Sequence, residues 1–372
     1  MNLSYWEIKT WLSHVDYAVV GSGIVGLTCA LELRKQHPKA HILILEKGML
    51  PQGASTKNAG FACFGSLSEL LQDLEHHTTE ETVLLLKKRV KGLKRLREIL
   101  GDKAIGYKHY GGYELFLKSD QAIYQNCKTQ ITSINQLLKP IFKENVFSFK
   151  KNTFGFRGIQ DNLGFNKYEG QIDTGKMMDA LLNKALKSNI KILNNCEVEA
   201  IEENTSEVCI KTKNFDLTSR KVCIATNGFA HKLIKETVRP ARAQVVITKP
   251  IQDLRFKGTF HLDQGYYYFR NIDNRILLGG GRHLDFIAEE TTEFGQTPLI
   301  QNQLEQLLKT TVIPNVEFEI DYRWSGIMGV GPQKNPVIKP LGNHVFCGVR
   351  LGGMGIAIGG SVGYDLAQLC LS

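Results

Sequence analysis

The stretch DYAVVGSGIVGLTCALELRKQHPKAHILILE, Asp16 to Glu46, decides the fold. An apolar run, Tyr17 to Val20, passes straight into glycines at Gly21, Gly23 and Gly26 and then into a helix-like segment, Leu27 to Arg34. A second β-rich run, His41 to Leu45, ends in Glu46. Strand, tight turn, helix and strand with an acidic residue about 20 positions past the glycines form the dinucleotide fingerprint. Gly21 permits the tight turn, Gly23 lets backbone approach a pyrophosphate, and Gly26 lets the helix pack on the strand. The helix amino end adds free N–H groups and partial positive charge. Glu46 suits ribose hydroxyls and opposes a 2′-phosphate, because two negative charges would face each other. NAD and FAD both remain open on this stretch.

A chain of 372 residues exceeds the usual single-domain size, so two domains are expected. The eight cysteines, at 29, 63, 127, 196, 209, 223, 347 and 370, show no CxxC pair and no metal-like histidine spacing. Reduced thiols and no metal site follow as expectations. The opening MNLSYWEIKTWLSH carries Glu7 and Lys9 and lacks a signal-peptide core. The longest uncharged apolar stretch, Ala18 to Leu31, is too short to span a bilayer, so a cytoplasmic location without a transmembrane segment is expected. The net charge of +9 favours acidic partners in general, but a solvated surface accounts for it and a nucleic-acid partner is not expected.

Beyond Glu46, the loop GMLPQGASTKNAGFACFG places Ser55, Lys57, Asn58 and Gly60 at the carboxyl end of a parallel strand, where the ligand crevice of such sheets lies. Thr79 reads as the N-cap of a helix from about Glu80 to Leu100. Leu86, Val90, Leu93 and Leu96 form its apolar stripe, and Lys87, Lys88, Lys91, Lys94, Arg95 and Arg97 its solvated face. Tyr113 to Leu117 reads as a strand and Asp120 to Phe142 as a helix. A helix at Lys176 to Lys187, a strand at Ile190 to Leu193 and EVEAIEE at 197–203 follow. Val208 to Thr212 with Asp216 to Leu217 read as a hairpin, and KVCIATNGF, Lys221 to Phe229, as a separate strand.

GYYYFRNIDNRILLGGGR, Gly265 to Arg282, reads as two strands turning at Asp273-Asn274. Alternation sets Tyr266, Tyr268 and Arg270 on one face and Tyr267 and Phe269 on the other. An unpaired arginine is costly in a core, so the Arg270 face is assigned to a pocket wall. The tail returns to glycine-rich sequence, and HVFCGVRLGGMGIAIGGSVGYDLAQLC reads as strand, glycine turn and helix, a second helix amino terminus able to face an anionic or electron-accepting ring.

Together these segments resemble the D-amino acid oxidase superfamily of FAD-dependent oxidoreductases, the group that includes glycine, sarcosine and γ-glutamylputrescine oxidases. The likeness rests on the Gly21–Gly26 fingerprint with Glu46, the Ser55–Gly60 loop, ATNG at Ala225–Gly228, the Trp324-Ser325-Gly326 to Pro336 block and the Gly352–Ile356 turn. It implies an α/β fold in which a Rossmann-like FAD-binding domain, a parallel sheet with helices, is interleaved with an α+β substrate domain on a mostly antiparallel sheet. The expected division is 1–76, 166–238 and 321–372 for FAD, and 77–165 and 239–320 for substrate.

The same resemblance implies bound FAD, with Gly21, Gly23 and Gly26 at the pyrophosphate, Glu46 at the ribose and the Val198 backbone at the adenine, and with Ile24 and Lys47 also in the cofactor set. Ser55, Lys57, Asn58, Gly60, Ala225, Thr226, Asn227, Gly326 and Gly352 join the cofactor set, and Gly353, Met354, Gly355 and Ile356 face the flavin pyrimidine. Non-covalent attachment is expected, because Gly326, Ile327 and Met328 stand where sarcosine oxidases carry the linking cysteine. Ile172-Asp173-Thr174 replaces Val-Asp-Pro. The tail lacks the His-Tyr-Arg-Asn of glycine oxidase, which weakens the expectation that glycine itself is the substrate.

The implied chemistry is oxidation of the C–N bond of an amine or amino acid, by hydride transfer to flavin N5 followed by imine hydrolysis. Oxygen or an electron carrier then accepts the electrons. Arg270 and Arg350 are the candidate carboxylate anchors, Tyr268 a supporting donor, and Lys57 a charge aiding reoxidation. Alternative readings are a 2-hydroxy acid dehydrogenase and a tRNA-modifying flavoprotein.

Overall fold

The computed structural model describes residues 2–372. The fingerprint strand Val15–Val20 lies inside an eight-stranded sheet, parallel to Ile42–Leu45 on one side and to Asp216–Ile224 on the other. Lys191–Leu193 extends the sheet beyond Ile42–Leu45, and Val345–Val349 runs parallel beyond Asp216–Ile224, followed by antiparallel Val337–Pro340. Asp216–Ile224 is one continuous strand. Its first half pairs with Val208–Thr212 and its second half with the fingerprint strand, so the expected hairpin and the following apolar strand are a single element. That strand stops at Ile224. Asn227–Lys232 is a short helical turn, and it contains Phe229, expected in the strand.

Helices Ile24–Gln36, Thr79–Leu100, Thr174–Lys187 and Gly355–Leu371 cover one face of this sheet, where Leu27, Leu33, Leu96 and Leu366 are fully buried. Each such leucine contributes roughly 1.5–3 kcal/mol. Glycines let these helices touch. A Cβ on Gly92 would sit 2.3 Å from the Ala357 carbonyl oxygen, so Thr79–Leu100 can approach the C-terminal helix only with hydrogen at that position. The N-cap of Thr79–Leu100 is Thr78 rather than Thr79. Its Oγ1 accepts from the Glu81 N–H, and Glu81 Oε2 accepts from the Thr78 N–H, a pairing that requires Glu three positions on.

The second eight-stranded sheet runs in the order Ile320–Val330, Arg239–Thr248, Arg275–Gly280, Tyr267–Ile272, Thr259–Leu262, Gly112–Leu115, Asn162–Asn166, Phe147–Lys151. All its pairs are antiparallel except Thr259–Leu262 with Gly112–Leu115. Residues from 321 were expected with the nucleotide sheet, but Ile320–Val330 hydrogen-bonds along Arg239–Thr248 in this second sheet. Asp273 and Asn274 turn the hairpin with positive φ at both positions, the geometry that matches strand twist. Tyr267 and Phe269 enter an aromatic core with Phe260, whose ring stacks on Phe269 at 4.8 Å, and Tyr268 faces the opposite way. The side-chain alternation expected for this strand is therefore present. No helix among the described residues is long and apolar enough to cross a membrane.

Candidate active site

A cavity of about 510 Å³ runs between the two sheets. One end is walled by Gly21, Gly23, Ile24, Glu46, Lys47, Val198 and Phe229. The far end is walled by His261, Gln264, Tyr266, Tyr268 and Arg282, with Gly352, Gly353, Met354, Gly355 and Ile356 along the way. The size suits a small-molecule or cofactor site.

At the first end the sequence logic is visible atom by atom. Gly21 has φ +103°, and a Cβ on Gly26 would lie 1.9 Å from the Gly21 carbonyl oxygen, so this pair sets how closely the helix meets the strand. Gly26 does its work inside the packing and does not line the cavity. A Cβ on Gly23 would come within 2.8 Å of Ser55 Oγ, which accepts a hydrogen bond from the Ile24 N–H at 3.0 Å. Ser55 thus caps the helix at the place where its dipole faces the cavity. Glu46 is only 5% exposed and is held by the protein itself. Oε2 accepts from Ser22 N–H and Ser22 Oγ, and Oε1 from the amides of Gly48 and Gln52. The Gln52 contact, at 3.3 Å, is the longest of the four and the one a sugar hydroxyl would most readily displace. Lys47 lies with its ammonium 3.4 Å from the Phe229 ring centroid, a cation–π pair on this part of the wall.

The middle of the cavity is organised by two asparagines. Asn58 donates to the carbonyls of Ala54 and Ser55, while its Oδ1 accepts from the Gly60 N–H and Thr174 Oγ1. Asn227 Oδ1 accepts from the amides of both Arg350 and Leu351 at 3.1 Å. Trp324 Nε1 donates to the Lys57 carbonyl, and a Cβ on Gly326 would lie 2.8 Å from Lys57 Cβ. Lys57 and Gly326 are thereby locked together on the wall. Thr226 Oγ1, in the same wall as Ala225, is buried without a hydrogen-bond partner. Bare glycine backbone, a capped but cavity-facing helix end and an unpartnered hydroxyl fit an extended dinucleotide lying along this path.

The expected arginines are placed otherwise. Arg270 is 2% exposed and does not line the cavity. Two residues beyond Tyr268 the strand has passed under the Asn58–Phe61 loop, and the guanidinium packs on Gly60, whose Cβ would be 2.9 Å from its nitrogen. Gly60 is therefore a close-approach glycine between Arg270 and the Ile172 carbonyl and not part of the cavity wall. Burial lowers the Arg270 pKa to about 10, and its Nε has no partner. Arg350 borders the cavity, but its Nε donates to the Asn335 carbonyl and another guanidinium nitrogen to the Thr237 carbonyl. Tyr268 does line the cavity, with Phe61 edge-on at 5.6 Å, and burial pushes its hydroxyl up to about 12.

Of the wall residues that escaped the sequence reading, three bear most on the chemistry. Arg282 follows Arg275–Gly280 and stands half-buried against the Phe286 ring at 4.6 Å, its pKa lowered by burial. His261 Nε2 meets Glu169 Oε2 at 2.9 Å. Burial acts to lower this imidazole's pKa, but the buried Glu169 carboxylate outweighs it and raises it to about 9. Donor atoms of Cys63, Glu169 and His261 lie within 4.8 Å of one another, yet Glu169 is already committed to Thr259, Asn166 and His261, so the cluster is accounted for as a hydrogen-bond network. The third residue, Arg89, projects from the apolar stripe of Thr79–Leu100. The signal for Arg89 was available, because it falls three residues after Leu86 and four before Leu93. The Lys-Lys-Arg-Val-Lys run disguised it. Other cations of that helix are tied locally, as in Lys88 with Asp365, Lys94 with Glu98 and Arg97 with Asp102.

The family model described as FAD dependent oxidoreductase (DAO) matches residues 16–369. A protein named "Probable oxidoreductase OrdL" from Haemophilus influenzae is 20% identical, the alignment covering 97% of this chain and 84% of that one. Glycine oxidase from Geobacillus kaustophilus is 23% identical over 88% of this chain and 84% of that protein. A crystal structure of glycine oxidase from Geobacillus kaustophilus superposes with a TM-score of 0.76 at 19% identity, covering 96% of this chain and 94% of that one. L-proline dehydrogenase from P. horikoshii superposes at 0.72 and 18% identity, covering 95% and 92%. These superpositions bear on the fold.

Proposed function

Because this chain belongs to the FAD dependent oxidoreductase (DAO) family, an FAD-dependent enzyme family, we propose that it oxidises the C–N bond of an amine or amino acid. The observation that supports this most is the single cavity joining the fingerprint glycines to a wall of mixed aromatic and cationic side chains on the second sheet. On this reading the first sheet with its helices holds the cofactor and the second sheet forms the substrate wall. Gly21, Gly23 and the amino end of Ile24–Gln36 take the pyrophosphate, Glu46 and Lys47 the adenosine half, and Thr226, Lys57 and 353–356 the reacting half.

FAD supplies a hydride acceptor at N5. The protein's part is to orient the substrate and exclude water, which can account for about 7–11 kcal/mol of barrier in well-held reactions. Tyr268 and Phe61 give flat apolar surface against which a substrate carbon can be positioned. His261, held by Glu169, presents a fixed imidazole on the same wall. Arg282, whose guanidinium is not drawn into backbone carbonyls as that of Arg350 is, serves as the anchor for a substrate carboxylate.

The test is anaerobic. The FAD-loaded protein is mixed with separate panels of amines, amino acids and 2-hydroxy acids while flavin absorbance is followed. Bleaching by an amine or amino acid is expected. Bleaching by hydroxy acids alone would falsify the reading.

A further inference from the structure

Arg89 is 6% exposed, yet it lines the cavity. One guanidinium nitrogen donates to the Phe64 carbonyl at 2.9 Å, the Nε has no partner, and the side chain forms no ion pair among the described residues. A buried cation left so incompletely satisfied is costly unless an anion arrives. Its surroundings identify the place. The adjoining loop runs Cys63, Phe64, Gly65, and Cys63 Sγ lies 4.0 Å from Met354 Sδ. Met354 is the residue from which the 17-residue helix Gly355–Leu371 starts, and no side chain caps that amino end. One turn along from Arg89, Gly92 abuts Ala357 in the first turn of the same helix. The guanidinium and the positive end of a helix dipole therefore converge on one segment of the cavity from two elements. Two acids adjoin Cys63: Glu69, which is turned to the Ser66 amide, and Glu169, which is held by His261 and Thr259.

We propose that Arg89, with the amino end of Gly355–Leu371, forms an anion site for the N1–C2=O edge of the reduced isoalloxazine. This rests on the reading that the ring's pyrimidine end faces 353–356. The balance of the step explains the need. A hydride, two electrons and one proton, leaves the substrate carbon for N5 as the C–H bond breaks and the C=N bond forms. The ring then carries one negative charge, delocalised over N1 and C2=O. The oxidised ring is neutral there, so Arg89 favours the reduced form selectively and raises the reduction potential.

Sulfite, which adds to N5 and places the same charge on the ring, probes this without any substrate. Arg89→Met should weaken sulfite binding at least tenfold and lower the midpoint potential, each tenfold corresponding to about 30 mV for a two-electron couple. Arg89→Lys, which keeps the charge, should stay within about threefold of the parent protein. If Arg89→Met does not retain FAD, Arg89→Gln carries the same expectation, since it can still donate to Phe64. An unchanged sulfite affinity and potential in the neutral variants overturns the proposal. So does an effect confined to the affinity for carboxylate substrates, which would place Arg89 at the substrate instead. Both measurements stand whatever the substrate class proves to be.

Discussion

Asn227 Oδ1 accepts from the Arg350 and Leu351 amides at 3.1 Å each, joining the helical turn after the central strand to the glycine turn that opens the C-terminal helix. One side chain thus sets how two distant cavity walls meet. Asn227 also sits at φ +46°, where asparagine is tolerated better than most residues. Asn227→Ala should leave both amides without this acceptor and cost about 2–3 kcal/mol, read as a lower thermal midpoint together with weaker FAD retention. Asn227→Asp keeps the acceptor and should lose much less.

Two fingerprint glycines should respond differently. Gly26→Ala drives a methyl to 1.9 Å from the Gly21 carbonyl oxygen, a backbone atom that cannot yield without breaking the turn. A loss of more than about 3 kcal/mol in apoprotein stability is expected from such overpacking. Gly23→Ala meets only Ser55 Oγ at 2.8 Å, which can rotate. Rotation gives up the Ile24 N–H bond, so apoprotein stability should fall by about 0.5–2 kcal/mol, while FAD affinity falls as the methyl occupies the approach path. Chemical denaturation of both apoproteins beside FAD titration separates the two cases.

Arg282, on the cavity wall, and Arg270, buried behind it, divide by role. Arg282→Met should raise the Kd of carboxylate-bearing substrates about 10- to 100-fold, the range of a hydrogen bond to a charged group, with little effect on uncharged amines. Arg270→Met should leave substrate Kd unchanged within about twofold. It should be neutral or stabilising by about 1 kcal/mol, because an unpaired buried cation is removed. Stopped-flow flavin reduction at varied substrate concentration measures both.

His261 and Glu169 link stability to pH. The folded-state pKa of His261 is raised from 6.5 to about 9, so the folded chain holds the proton more tightly than the unfolded one. The stabilisation is full below pH 6.5 and is lost as pH rises through 9, on the order of 3 kcal/mol in total. Denaturation midpoints compared at pH 6 and pH 9.5 should show this loss in the parent protein and a flatter profile in His261→Gln.

Much of this architecture was legible because it is written in local chemistry. The fingerprint needs glycine wherever backbone meets backbone, and the 267–280 hairpin announces itself by period-two alternation with Asp-Asn at the turn. What escaped depended on distant segments. Alternation correctly set Arg270 on the Tyr268 face, but only the fold shows that the Asn58–Phe61 loop covers it. Asp216–Ile224 was divided in expectation because its two halves have different neighbours, one edge hairpin and one central parallel strand. Arg89 was hidden by composition, a single buried cation among solvated ones. Ile320–Val330 follows its long antiparallel partner Arg239–Thr248 into the second sheet, a pairing no local pattern specifies.

The central claim is that this chain removes a hydride from the carbon of a C–N bond. A single anaerobic turnover tests it most directly, with FAD-loaded protein mixed with an acyclic amine or amino acid that bleaches the flavin and the products quantified. The account predicts one equivalent of carbonyl compound and one of the released amine or ammonia per flavin reduced, with a primary isotope effect when the α-carbon bears deuterium. Flavin reduction without a released nitrogen product would contradict it.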